Sequence, residues 1–152
     1  MSRKSGIGQR GASAPSQDPR QRLGAAGEAE AERALSRAGL TILARRFRCR
    51  AGEIDLVALD GRVVVFVEVK TRRGTGFGTP AEAVTARKRE HMARAARVFL
   101  AAVGGDPPPC RFDVVEVLPG EDGVLVARHV RDAFRLGIWG DRAPSGRRAR
   151  RS

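Results

Sequence analysis

A chain of 152 residues is long enough for one domain with a real core and too short for two. Its 41% hydrophobic and 30% charged residues suit a soluble globular protein and exclude a wholly disordered one; with no apolar run of bilayer-spanning or secretory-signal length, the expected location is the cytoplasm. The formal charge of +12 points to a polyanionic partner, nucleic acid before membrane.

Residues 1–20 are Ser, Gly, Pro, Gln and Arg with little that is apolar, and they predict a disordered basic tail. Residues 139–152 predict a second. Five Arg/Lys against Asp18 in residues 1–22, and five Arg against Asp141 in residues 139–152, give each end a charge of +4 and leave +4 for residues 23–138. The ends therefore supply salt-screened attraction to phosphate, or simply solubility, and any specific chemistry belongs to the folded span 21–138.

That span opens with "QRLGAAGEAEAERALSRAGL", in which Leu23, Gly27, Ala31, Ala34, Leu35 and Ala38 recur at helical spacing before Gly39, as in a helix with a glycine stop. "TILARRFRCR" alternates, with Leu43, Phe47 and Cys49 on one side and Arg46, Arg48 and Arg50 on the other, which predicts a strand with an exposed face. "GEIDLVALDGRVVVFVEVK" is two runs of strand formers around Asp60-Gly61, a dipeptide that favours a type I′ turn. After the loop "TRRGTGFGTP", an amphipathic helix begins near Thr85 and ends at Gly104-Gly105. It has Met92, Ala96, Phe99 and Val103 on one face and Arg87, Glu90, Arg94 and Arg97 on the other. "CRFDVVEVL" predicts a strand, "GVLVARH" a shorter one, and "VRDAFRLG" a last helical turn or two. The order α-β-β-β-α-β-β implies an α/β fold, a sheet flanked by helices. Cys49 and Cys110 are too few and too far apart for a zinc cluster or a disulfide framework, and are expected to be reduced, packed thiols.

Asp55, Glu68 and Lys70 stand inside aliphatic runs, where unpaired charge is costly. With Asp60-Gly61 as a two-residue turn, Asp55 faces Phe66, and each strand alternates. One face of the hairpin then holds Ile54, Leu56, Ala58, Val63, Val65, Val67 and Val69. The other holds Asp55, Val57, Leu59, Val64, Phe66, Glu68 and Lys70, with Glu53 at its start. Asp55 and Glu68 become diagonal neighbours about 7–8 Å apart. Two converging carboxylates repel unless something positive lies between them, and a divalent cation such as magnesium, which binds one or two carboxylates plus water and phosphate oxygens, meets that need. Pairing with Lys70 or nearby arginines on a solvated face is the alternative. Two further features bear on the choice. Glu28 lies at the margin of the first helix's apolar face, where a carboxylate can be directed towards the sheet, with Glu32 as second choice. Lys88 lies on the core-facing side of the later helix's first turn, where a snorkelling lysine is equally ordinary.

The blocks "GEAEAERALSRAGL", "GEIDLVALDGRVVVFVEVKTR", "AVTARKREHMARAARVFL" and "RFDVVEVL" resemble, in order and spacing, those of the YraN family of bacterial proteins predicted to be endonucleases. The resemblance spans about residues 21–138. It implies a nuclease-like domain of restriction-endonuclease-like fold, a mixed β-sheet flanked by helices and shared with archaeal Holliday-junction resolvases, whose signature is an acidic residue, then Asp, then Glu-x-Lys. Glu28, Asp55 and the pair Glu68 and Lys70 match those positions, and Lys88 matches a recurring lysine of the later helix. The expectation is a metal-dependent endonuclease acting on nucleic acid, DNA before RNA, and on branched or repair intermediates. Asp55, Glu68 and the backbone carbonyl of Val69 would hold Mg²⁺ or Mn²⁺, with Glu28 as an additional ligand. Lys70 would position water, and Arg46, Arg48, Arg50, Arg72 and Arg73 would grip phosphates. The glycine-rich loop from Gly74 to Pro80 is expected to be a plain connector, the alternative being a segment that moves over the substrate or inserts Phe77 at a junction. By analogy with resolvases the protein would act as a homodimer. The rival is a nucleic-acid-binding module that keeps the fold without cutting.

Overall fold

Asp18 begins the first helix: its backbone is extended and its side chain accepts the Arg20 amide at 2.9 Å, filling one of the amides that a helix start leaves without a partner. Pro19 follows at the first helical position, where its missing N–H costs nothing. Helix α1 therefore runs Pro19–Arg37, starting just inside the stretch expected to be tail. It stops where Gly39 takes φ 90°. The computed structural model describes residues 18–73, 79 and 82–136. The expected tails, apart from residues 18–20, and the glycine-rich loop with Phe77, apart from Thr79, lie outside them.

Strands β1 (Thr41–Cys49), β2 (Gly52–Asp60) and β3 (Val63–Thr71) follow, then helix α2 (Ala86–Val103) and strands β4 (Cys110–Pro119) and β5 (Leu125–Phe134). They form one open mixed sheet in the order β1-β2-β3-β4-β5, with β3 and β4 parallel and all other neighbours antiparallel. The α/β class and the element order agree with expectation. The parallel step is the one that needs a crossover, and α2 supplies it. Thr85 caps α2 by accepting the Lys88 amide, and Gly104 closes it with φ 74°.

The helices cover opposite faces. Ala31 and Leu35 of α1 pack with Leu56, Val65, Val67, Val115 and Val117. Met92, Ala96 and Leu100 of α2 pack with Val57, Phe66, Phe112 and Val114. Two glycines allow the close approach: a β-carbon on Gly27 would lie 2.0 Å from Thr71 Oγ1, and one on Gly52 2.8 Å from the His91 carbonyl oxygen of α2. Gly27 thus docks α1 against the end of β3, beside Lys70. Among the described residues, no helix is long and apolar enough to cross a membrane. Both cysteines are half-buried, and neither is in a disulfide.

Several local expectations are corrected. Asp60 pairs with Val63, so the two-residue turn is Gly61-Arg62, with Gly61 at φ 60°. Asp60 stays in the ladder because Arg111 and Arg131 hold its carboxylate at 2.8 and 2.9 Å. Leu43 does not join Phe47 and Cys49: it sits in a bulge between Ile42 and Ala44 and is 47% exposed. Ile54 packs on the α2 side rather than with Leu56. The strands change face there because Arg46, with φ 48°, and Asp55 both drop out of the β1–β2 pairing. Val103, the last residue of α2, is exposed. Finally, residues 130–134 continue β5 instead of forming a helical turn, because an irregularity at Asp132 (φ 50°) restores the pairing of Phe134 with Phe112.

Candidate metal and nucleic-acid site

The β2–β3 ladder sets the site. Its last pair is Leu56↔Val67, and Asp55 and Glu68 are the next residues beyond it on the two strands. The moved turn thus makes the two carboxylates direct rather than diagonal neighbours. The turn still has two residues, so the side-chain parity of the paired residues Leu56–Asp60 and Val63–Val67 is unchanged. Beyond the last pair, the Val69 amide donates to Asp55 Oδ2 at 2.8 Å. The amide and carbonyl of one strand residue point to the same edge, so the Val69 carbonyl also faces β2.

Glu68 is buried on the α2 side of the sheet. Lys70 Nζ and Lys88 Nζ both approach its Oε1, at 3.8 and 3.7 Å. Thr85 fixes the turn of α2 from which Lys88 extends. Glu68 Oε2 is buried and accepts no hydrogen bond. Burial first, then the charge and close approach of the Asp55 carboxyl, pushes the Glu68 carboxyl up to about 7, with Lys88 and Lys70 opposing. A buried carboxylate oxygen without a partner is costly and calls for one. The pair Asp55 and Glu68 offers hard oxygen donors of the kind magnesium and manganese take. These residues fit such an ion.

Glu28 stands apart from this pair. Its Oε2 is held by Arg46 Nε at 3.0 Å, and among the described residues no three Asp, Glu, His or Cys side chains gather closely enough to hold one ion. Glu32 is bound by Arg45. Of the proposed phosphate-gripping residues, Arg48 pairs with Glu53 at 3.4 Å, and Arg50 and Arg73 are exposed. Arg72 is mostly buried and tied to Glu116 at 3.1 Å. Glu116, buried on β4 beside Lys70, escaped the sequence reading although an acid inside "DVVEVL" gives the same signal as Asp55 in β2. The tie to Arg72 secures the exit of β3 directly after Glu68-Val69-Lys70.

The sequence profile of "Uncharacterised protein family UPF0102" matches residues 27–117, a span that contains Glu28, Asp55, Glu68, Lys70 and Lys88. A UPF0102 protein of Symbiobacterium thermophilum is 58% identical over 113 residues, 74% of this chain and 96% of the relative. One from Nocardia farcinica is 55% identical over 117 residues, 76% of this chain and 91% of the relative. One from Geotalea daltonii is 46% identical over 114 residues, 75% and 90% of the two chains.

Proposed function

The chain belongs to the UPF0102 (YraN) family, and from its own side chains we propose that it is a metal-dependent endonuclease that hydrolyses phosphodiester bonds in nucleic acid, DNA in preference to RNA. One observation carries the reading: Glu68 keeps a buried oxygen without a partner beside Asp55 while two lysines share its other oxygen. A structural ion pair would not leave that oxygen empty, and a surface that only binds phosphate gains nothing from two carboxylates that repel it.

Asp55, Glu68 and the Val69 carbonyl would hold Mg²⁺ or Mn²⁺, with Glu28 as an additional ligand; bound there, the ion would polarise a phosphate oxygen and acidify water. Lys70, whose side chain is 37% exposed, has the freedom to orient an attacking water and to stabilise charge developing on phosphate. Lys88 faces the same point from α2. Arg50 and Arg73 would grip the backbone without reading sequence, and Arg46 and Arg48 would exchange surface carboxylates for phosphates. Branched substrates with two strands to cut would call for a homodimer. The expected setting is the cytoplasm, at the nucleoid.

The test is incubation of the protein with duplex, single-stranded and branched DNA in Mg²⁺ or Mn²⁺. Cleavage should require metal, vanish in Asp55→Asn, and fall by roughly 10²–10³-fold in Lys70→Ala. Binding without cleavage of any substrate would support the binding-module alternative, and cleavage surviving both substitutions would overturn the site.

A further inference from the structure

Arg46 combines three properties. It holds the Glu28 carboxylate, Nε to Oε2, at 3.0 Å. It occupies the gap between the pairs Arg45↔Leu56 and Phe47↔Ile54, the step of β1 that lies alongside Asp55. Its φ of 48° places a non-glycine residue in the left-handed region, which is costly and persists where the surroundings impose it. The irregular step changes the face of β1 and lets a side chain from the sheet reach α1 at the site end. Meanwhile, Gly27 presses α1 onto Thr71 at the same end of β3, so Glu28 is anchored at the site end of the sheet, held by Arg46 and apart from the sheet's carboxylates.

The ion pair itself is weak. The Arg46 and Glu28 side chains are 53% and 32% exposed, and exchange of one partner in so wet a pair is easy. A phosphodiester is the partner a guanidinium takes most readily, because its oxygens match the planar fork.

We propose that Arg46 is a positioning residue that couples nucleic-acid binding to metal loading. Without nucleic acid it clasps Glu28 and keeps that carboxylate out of the Asp55–Glu68 pair. When a phosphate of the backbone takes the guanidinium, Glu28 is released and becomes available as a third carboxylate. Metal affinity and nucleic-acid affinity then rise together, as linkage requires. The inference rests on the metal-site reading above and adds the order in which the site is completed.

The test is a double-mutant cycle on Mn²⁺ binding, measured by calorimetry on the full chain without nucleic acid. Arg46→Asn is the chosen substitution because asparagine tolerates the left-handed backbone, and thermal unfolding verifies that each variant is folded. Arg46→Asn should tighten Mn²⁺ binding by about two- to fivefold, the order a partly exposed ion pair is worth. In the Glu28→Ala background the same substitution should have no effect. Equal tightening in both backgrounds would mean that Arg46 acts only as a nearby positive charge, and would overturn the clasp. In a Lys70→Ala background, DNA binding followed by fluorescence anisotropy should be strengthened by Mn²⁺, and Arg46→Asn should remove most of that enhancement. An enhancement unchanged by Arg46→Asn would also overturn it. A protein that binds no Mn²⁺ would sink both readings, whereas Mn²⁺ binding indifferent to Arg46 would sink the clasp alone.

Discussion

Of the three carboxylates buried in the sheet, Glu68, Asp113 and Glu116, Asp113 and Glu68 lie on opposite faces and are treated in opposite ways. Asp113, on the α1 side of β4, is fully buried. It accepts hydrogen bonds from Arg111 Nε and Nη2 at 2.9 and 3.2 Å and from the Asp132 amide at 2.9 Å, and His129 Nε2 lies 2.7 Å away. Arg111 in turn reaches Asp60 at 2.8 Å. Burial alone would raise the Asp113 carboxyl, but hydrogen bonds from His129, Arg111 and the Asp132 amide outweigh it and hold the group below the ordinary carboxylate range. Glu68, on the α2 side of β3, has one oxygen shared by two lysines at ion-pair distance and the other unsatisfied, and its carboxyl is pushed up to about 7. Every hydrogen-bonding position of Asp113 serves the fold; Glu68 leaves one open, which is how a sheet stores capacity for a ligand at a cost in stability.

Removing each carboxylate breaks the symmetry most sharply. Asp113→Ala should destabilise the protein by about 3–5 kcal/mol in urea unfolding, because it strands Arg111 and His129 in the interior. Glu68→Gln should leave stability unchanged or raise it, while Mn²⁺ binding and cleavage are lost. A large stability loss in Glu68→Gln would erase the distinction.

The pH dependence of metal-free stability separates the two with opposite signs. Asp113 has a folded pKa below its unfolded value, so its contribution is present above the unfolded pKa of about 4 and disappears as the pH falls through the folded value. Glu68 has its folded pKa raised to about 7 from 4.5, so its contribution is present below 4.5 and is lost as the pH rises through about 7. Denaturant midpoints across this range should accordingly lose their acid limb in Asp113→Asn and their decline towards neutrality in Glu68→Gln.

The smallest effect is expected at Glu30, which is clasped by exposed Arg33 and Arg37. Glu30→Gln should change neither stability nor metal binding measurably, since surface ion pairs contribute little. A clear loss would show that charge on α1 matters beyond Glu28.

How much of this was legible in the sequence follows the same division. Period-2 alternation places Glu68 and Lys70 on one face, because parity survives a turn moved by one residue, whereas Asp55 leaves the strand pairing and reaches the pair through the Val69 amide. Helical spacing placed Lys88 correctly, and Thr85 and Gly104 punctuate α2 as their side chains or lack of one dictate. Local sequence places the turn one residue early because both two-residue loops use Gly61, and the choice falls to Arg111 and Arg131, distant in sequence, which hold Asp60 in the ladder. The end of β5 reads locally as a helical turn for a similar reason: the Asp132 amide is fixed by Asp113, a contact no local pattern announces. The clasp between Arg46 and Glu28 depends on a left-handed residue in a strand, and alternation assumes that none occurs.

The shift in thermal unfolding midpoint produced by Mn²⁺ compares the wild-type protein with Glu68→Gln and Asp113→Asn. A ligand that binds the folded state raises the midpoint with its concentration. The wild type and Asp113→Asn should both show a rise that grows with Mn²⁺, from different starting temperatures, and Glu68→Gln should show none. Equal shifts in the wild type and Glu68→Gln would contradict the assignment of the unsatisfied Glu68 oxygen to a metal ion.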